Sequence, residues 1–447
     1  MRRTVAEHQH AVEELLRRSW ADLPGSATRG SDTAVANTEL TANTELPLMQ
    51  ARGRVLATDL TAPVDLPPFA NSQMDGYAVH VDHKQPRDVD SKKSTSYGVV
   101  ATIAAGAVPA PLVRGTAAPI MTGAMIPAGA NAVIPIEQAI PDHFGAAGET
   151  VDLPPTAPGT FVRAQGSDVR RGDTVIAAGT LLNAAHLGLA AALGMTQLPV
   201  KRKPRVLLLT TGDEVVSPGD PVAADGLPAG MIFDANESLL RASFEAAGVD
   251  VVKSLVVRDD PEGLLQLLDD FVAGSVSGAS SEPGCELIIS VGGISAGAFE
   301  VVKQALTLAK DHAQVDFGHV AMQPGGPQAA GSYRGIPFLG FPGNPVSAFV
   351  SFEVFLRPAL SALIGAPALR PRVLATLEHA MSSPAGKLQI RRGIYSGPEF
   401  ESAASVREIG GPQSHLLSAL AQANAFITIP AGVTELQAGA KVEVLLL

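Results

Sequence analysis

Apolar side chains recur at helical spacing over residues 5–20, with Val5, Val12, Leu15, Leu16 and Trp20 near one face, so an amphipathic helix is expected there. Residues 25–45 are polar and hold a near-exact hexapeptide repeat at 36–41 and 42–47. Two copies are too few to stack as a solenoid, so a duplication within a mobile linker is the expectation. From 60 to about 155, short β-prone runs such as 97–103 and 132–136 are cut by Pro and Gly, the pattern of a small β domain. Residues 156–200 are mixed, with a helix expected over 183–193 and stopped by Gly194.

Beyond Pro204 the period changes. Apolar runs at 205–209, 249–257, 286–291 and 336–341 alternate with helical stretches at 236–247, 261–272 and 300–309. A further long helix is capped by Asn344 and has Pro345 at its first position. Strands alternating with helices predict an α/β domain with an open, largely parallel, doubly wound sheet covered on both faces. From about Pro371 the pattern is β again, at 372–377, 388–395, 425–429 and 441–446, which predicts a compact barrel-like domain.

Composition narrows the function classes. Of 447 residues, 46% are hydrophobic and 17% charged, enough to bury large cores and too apolar for a disordered chain. The net charge of −11, with no basic run beyond pairs such as Arg170-Arg171, argues against general nucleic-acid binding. An acidic protein still binds an anion where a few cations and backbone N–H groups dominate one cleft. Cys285 is the single cysteine, which excludes intrachain disulfides and multi-Cys zinc sites, and a buried structural thiol is expected. No uninterrupted apolar run reaches membrane-span length and no apolar core follows Met1, so a cytoplasmic, non-spanning protein is expected.

Three loops fall where a doubly wound sheet places its ligand, outside the carboxyl ends of the strands. They are 210–214 (with Thr211, Gly212, Asp213 and Glu214), 292–297 (with Gly292, Gly293, Ser295 and Gly297), and 342–347 (with Pro342, Gly343, Asn344 and Ser347). Glycines allow close backbone approach, and a helix N-terminus favours an anion, so a phosphate-bearing ligand is expected. Carboxylates beside such loops hold a divalent ion against phosphate oxygens, and Asp213, Glu214, Asp259, Asp260 and Glu300 are the candidates. Asp259-Asp260 reads equally well as a cap before Pro261, and Glu300 as a charge complementing a helix dipole.

Residues 66–79 contain Pro67-Pro68-Phe69, then Ser72 and Asp75-Gly76-Tyr77-Ala78, closely resembling the signature of the MoeA/gephyrin family. The resemblance continues through 120–124 and 129–133, through 163–172, through the three sheet loops, and through 391–393, 413–418 and 423–424. It covers nearly the whole chain in order, except 25–45. It implies an elongated, four-domain chain of α/β plus β class: a linking domain (25–59 and 156–200), a small β domain (60–155), a molybdopterin-binding α/β domain (201–368) and a C-terminal β-barrel-like domain (369–447). Residues 1–24 would be a helix packed with the α/β domain. The implied activity is insertion of molybdenum from molybdate into adenylated molybdopterin, with Mg²⁺-assisted release of AMP. Homodimers are implied, with the cleft between the α/β and C-terminal domains of one subunit and the β domain of the other. By this resemblance Asp75, Glu214, Asp259 and Glu300 are catalytic, Glu214 and Glu300 positioning Mg²⁺. Thr122, Asp168, Thr211, Gly212, Gly292, Gly293, Ser295, Gly297, Gln323, Pro342, Gly343, Asn344, Ser347, Arg391 and His415 would contact substrate.

The chain departs from the family pattern at Gln323 and Gly326, where Lys is usual or frequent, at Ala70, where Asp is common, and at Glu300, where Asp is usual. Gln offers hydrogen bonds without charge, which weakens anion binding. These departures, with the polar segment at 25–45, keep open a gephyrin-like scaffold that binds a short peptide of a cytoskeletal (tubulin-like cell-division) or membrane-receptor partner.

Overall fold

The computed structural model describes residues 3–21, 43–82, 94–272, 284–294, 300–309, 311–398 and 403–447. Most of the polar repeat, with Ser295 and Gly297, lies outside the described residues.

Four parallel strands form one side of the sheet in the α/β unit. Their order is Asp250–Val257, Arg205–Thr211, Leu287–Val291 and Ile336–Phe341. Such strands are apolar on both faces, because helices cover both. Along the second strand Val206 and Leu208 enter one core with Leu240, Phe244 and Leu360, while Leu207 and Leu209 enter another with Leu264, Leu268, Val302 and Leu306. The sheet is mixed rather than wholly parallel. Two antiparallel strands, Pro327–Tyr333 and Ala313–His319, extend its far edge. Neither was expected from the sequence: 313–319 has no buried position, so it lacks the apolar run that marks the others.

The N-terminal helix Val5–Ala21 buries Val12, Leu16 and Trp20 in the first of these cores. The Trp20 indole N–H donates to the Glu286 carbonyl at 2.9 Å. The helical stretch that starts at Pro345 runs to Ile364 through a π turn at Phe352–Leu356. Pro358 has no N–H to give the carbonyl four residues back, that of Val354. The Gln9 side chain donates to that carbonyl instead, at 2.9 Å. By length and mean hydropathy this stretch would pass for a membrane span, yet 78% of its apolar window is buried inside the fold. Its Glu353 carboxylate is fully buried between Arg357, at 2.8 Å, and Arg370, at 2.9 Å.

The small β unit is a five-stranded sheet in the order Ala132–Pro135, Gly76–Val79, Thr116–Ile120, Thr95–Val99 and Thr150–Leu153. Gly76 allows its close central pairing, since a Cβ there would lie 2.1 Å from the Ile134 carbonyl oxygen. Paired strands Asn43–Pro47 and Gln197–Lys201 and the helix Ala184–Ala192 surround a separate core that includes Leu56, Leu182, Leu187 and Leu198. Asn71–Ser72 pairs with Val162–Arg163, so strand pairing crosses the expected division at 155/156.

The C-terminal strands close on themselves. Leu388–Ser396, Ser405–Glu408, Arg372–Leu377, Lys441–Leu446 and Ala425–Ile429 follow one another, and the last pairs back with the first. Ser405–Glu408 had no sequence expectation, being four residues with one buried position. Met322–Gln323 pairs in parallel with Leu388–Gln389 and joins the α/β unit to the barrel.

Candidate functional site

The ends of the four parallel strands and one side of the barrel enclose a cleft of about 850 Å³. Thr211 ends the strand Arg205–Thr211, Gly212 and Glu214 come from the loop after it, and Gly292 and Gly293 from the loop after Leu287–Val291. Pro342, Gly343, Asn344 and Ser347 follow Ile336–Phe341. Asp259 follows Asp250–Val257, and Glu300 immediately precedes Val301–Leu308. The loops are braced against one another. Gly292 N–H donates to the Phe341 carbonyl at 3.0 Å, and the Asn236 side chain to the Gly343 carbonyl at 2.7 Å. Gly292 has φ +90°, and a Cβ on it would lie 2.8 Å from Thr211 Oγ1, so only glycine fits this wall. Asn344 holds the N-cap position of its helix without a side-chain capping bond.

The two readings of 259–260 separate in space. Asp260 takes the cap, accepting from Glu262 N–H at 3.1 Å, and Asp259 lines the cleft. Burial, and then the charges of Asp213, Glu214 and Glu300, push the Asp259 carboxyl above the usual carboxylate range. Glu300 sits at the N-cap position of its helix but its side chain does not cap it. Among the described residues no three of His, Cys, Asp or Glu stand close enough to cage a metal unaided. The carboxylates present suit an ion that keeps most of its shell for water and substrate oxygens, as Mg²⁺ does.

From the barrel side come Lys387, Gln413, Ser414 and His415. Gln323 also lines the cleft, and its Oε1 accepts from Gln389 Nε2 at 3.5 Å. Arg391 does not line it. The Arg391 guanidinium is turned inward, donating to Glu408 at 2.6 Å and to the Ser382 carbonyl at 2.8 Å. Neighbouring strand residues point to opposite faces, and it is Arg392 that serves the cleft indirectly. It donates to the Gly411 and Gln413 carbonyls at 2.6 and 2.9 Å and pins the loop that carries His415.

Asp75 and Thr122 meet each other in the small β unit but are not among the cleft-lining residues. Thr122 N–H and Oγ1 both donate to Asp75 Oδ1, at 2.6 and 2.7 Å. These two bonds hold the Asp75 carboxyl below the usual range. Asp168 is exposed in a loop whose backbone is tied to Leu66, again away from the cleft. Ala70 stands outside the cleft lining too, while Gly326 is within it. The cysteine expectation fits the fold, since Cys285 is buried and its thiol is pushed up to about 12 by burial. Among the polar and charged lining residues, Asp234, Asn236, His319 and Lys387 had no expectation as site residues. For Asp234 a signal existed, an Asp immediately before a helix; it accepts from Asn236 and Glu237 N–H at 2.9 and 3.0 Å.

Comparison with known proteins matches residues 5–194 to the MoeA N-terminal region (domains I and II). Residues 207–362 match a probable molybdopterin binding domain, and 375–447 the MoeA C-terminal region (domain IV). The chain is 39% identical to molybdopterin molybdenumtransferase 2 of Mycobacterium tuberculosis, with 99% of each chain covered. It is 31% identical to the molybdopterin molybdenumtransferase of Haemophilus influenzae, over 86% of this chain and 89% of the other. The crystal structure of a molybdopterin biosynthesis MoeA protein from Pyrococcus horikoshii superposes with a TM-score of 0.71 at 26% identity, covering 97% of this chain and 98% of that one.

Proposed function

The chain belongs to the MoeA family, and from that premise we propose that it acts in molybdenum cofactor biosynthesis as a cytoplasmic molybdopterin molybdenumtransferase. The cleft takes adenylated molybdopterin and molybdate, the phosphoanhydride is cleaved, AMP leaves, and the dithiolene receives the metal. One observation carries the reading: glycine-rich backbone and a carboxylate group converge at the ends of four parallel strands, within a cleft of about 850 Å³.

The residues divide the work by chemistry. The glycines at 212, 292, 293 and 343 let phosphate oxygens approach the backbone closely, the N–H groups of Gly293 and Gly343 donate to them, and Thr211, Asn344 and Ser347 add polar contacts. Ser295 and Gly297, expected from the sequence to contact substrate, lie outside the described residues. Glu214 and Glu300 would hold Mg²⁺, with Asp259 beside them; when bound, the ion neutralises charge on the phosphoanhydride oxygens. Water and phosphate would complete its shell. Gln323 and His415 stand on the walls facing the remainder of the ligand. Asp75, presented by Thr122, is proposed to complete the cleft of a second copy in a homodimer, with Asp168 on the same unit. Arg391 is better read as a strut of the barrel than as a substrate contact.

The peptide-scaffold alternative has no support in the fold or in the comparisons. The test is molybdate-dependent AMP release from adenylated molybdopterin at saturating Mg²⁺. Release above background that requires molybdate is the expected result; no such release would overturn the proposal.

A further inference from the structure

Lys387 is the only lysine or arginine among the described residues lining the cleft, which also carries Glu214, Asp234, Asp259 and Glu300. Molybdate and the phosphates of an adenylate are anions, and such walls repel them unless a fixed cation stands nearby. The usual family cation is absent at position 323, where neutral Gln323 is engaged with Gln389.

Lys387 is held beside that position. Leu388 N–H donates to the Ala321 carbonyl at 2.9 Å, and Leu388 and Gln389 pair with Met322 and Gln323. Ala321 N–H in turn donates to the Arg3 carbonyl at 2.8 Å. The Lys387 side chain is half-buried, and no hydrogen bond or ion pair engages its ammonium among the described residues.

We propose that Lys387 is the substrate-contacting cation of this cleft: its ammonium binds a tetrahedral oxyanion, molybdate or an adenylate phosphate, supplying from the barrel the charge that position 323 lacks. The inference rests on the molybdenum-insertion reading and names a residue for it. Lys suits the task because it acts as a compact point charge and needs no planar partner.

The experiment compares wild type with Lys387→Gln and Lys387→Arg. KM and kcat for AMP release are measured while molybdate and adenylated molybdopterin are varied in turn, and equilibrium binding of molybdate alone is measured by calorimetry. Lys387→Gln is expected to raise KM for one of the two anions about tenfold, with Lys387→Arg recovering most of the loss. The substrate whose KM moves identifies the oxyanion. Thermal unfolding of both variants separates the effect from misfolding. Both KM values and molybdate binding within about twofold of wild type in Lys387→Gln would overturn the inference. Wild-type protein that releases no AMP would overturn the parent reading instead, and molybdate binding lost in Lys387→Gln would then still support the cation.

Discussion

At Gln323 a single missing charge meets a site that could accept it. Gln389 Oε1 is buried without a hydrogen-bond partner among the described residues, and an ammonium at position 323 would supply a donor. At Gly326 a Cβ would find only ordinary contacts, the nearest at 3.5 Å from His319. Gln323→Lys is therefore expected to keep the fold and raise kcat/KM for molybdate about tenfold; steady-state kinetics showing no gain would mean that charge at 323 does not limit the reaction. Asp259 gives a second outcome. Its folded pKa lies above its unfolded one, so ionisation costs stability above that pKa and the cost is relieved as pH falls. Asp259→Asn is expected to raise Tm at pH 7.5 while lowering AMP release, and calorimetry finding a lower Tm would contradict the repulsion argument. The cleft was partly legible in the sequence because glycines at strand ends carry a backbone signal. Lys387 was not, because a lone lysine before a strand says nothing until the barrel folds it back onto the Gln323 loop. Arg391 and Arg392 show the same limit, since sequence cannot say which face of a strand is inside.

Among the elements, the helix Val5–Ala21 carries a pH-dependent contact. His8 is 3% exposed and packs edge-on against Phe355, ring centroids 4.6 Å apart. Burial, with the charge of Arg3, pushes its imidazole down from 6.5 to about 4. The unfolded chain therefore binds more protons between those values, and stability is lost as pH falls from about 6.5 toward about 4. Between pH 7.5 and 5 the loss should reach about 2 kcal/mol, and His8→Leu should abolish that part of it. Unfolding followed by Trp20 fluorescence checks this; an unchanged pH dependence in the variant would refute it. Gln9 compensates for the missing N–H of Pro358, so Gln9→Leu strands the Val354 carbonyl and should cost about 1–3 kcal/mol in the same measurement. Helices and buried strands were readable because their period is long or their apolar run continuous. The strands Ala313–His319, Pro327–Tyr333 and Ser405–Glu408 were not, because short or half-exposed strands are decided by their neighbours.

For the molecule as a whole, the separation of Asp75 from the cleft makes a quantitative test of shared sites. If the cleft is assembled from two copies, as proposed, Asp75→Asn and Glu214→Gln disable different halves of it. If each variant alone is inactive, co-refolding them in equal amounts should restore about a quarter of wild-type activity, since half the dimers would be mixed and each would hold one intact cleft. No recovery, with mixed dimers shown by mass, would place Asp75 in a cleft of its own chain. Changes of hydrophobic period suggest where units begin and end, but they carry no sign of the pairing of Asn71–Ser72 with Val162–Arg163, which crosses an expected boundary. The docking of the first helix adds a matter of timing. Gln9 and Val354 are 345 residues apart in the chain. At ordinary translation rates, the apolar stripe of Val12, Leu16 and Trp20 would wait roughly 20 to 70 s on the ribosome before its far partner emerges. The helix made first is thus among the last to be covered, and a nascent chain of this protein would present chaperones with that stripe for most of its synthesis.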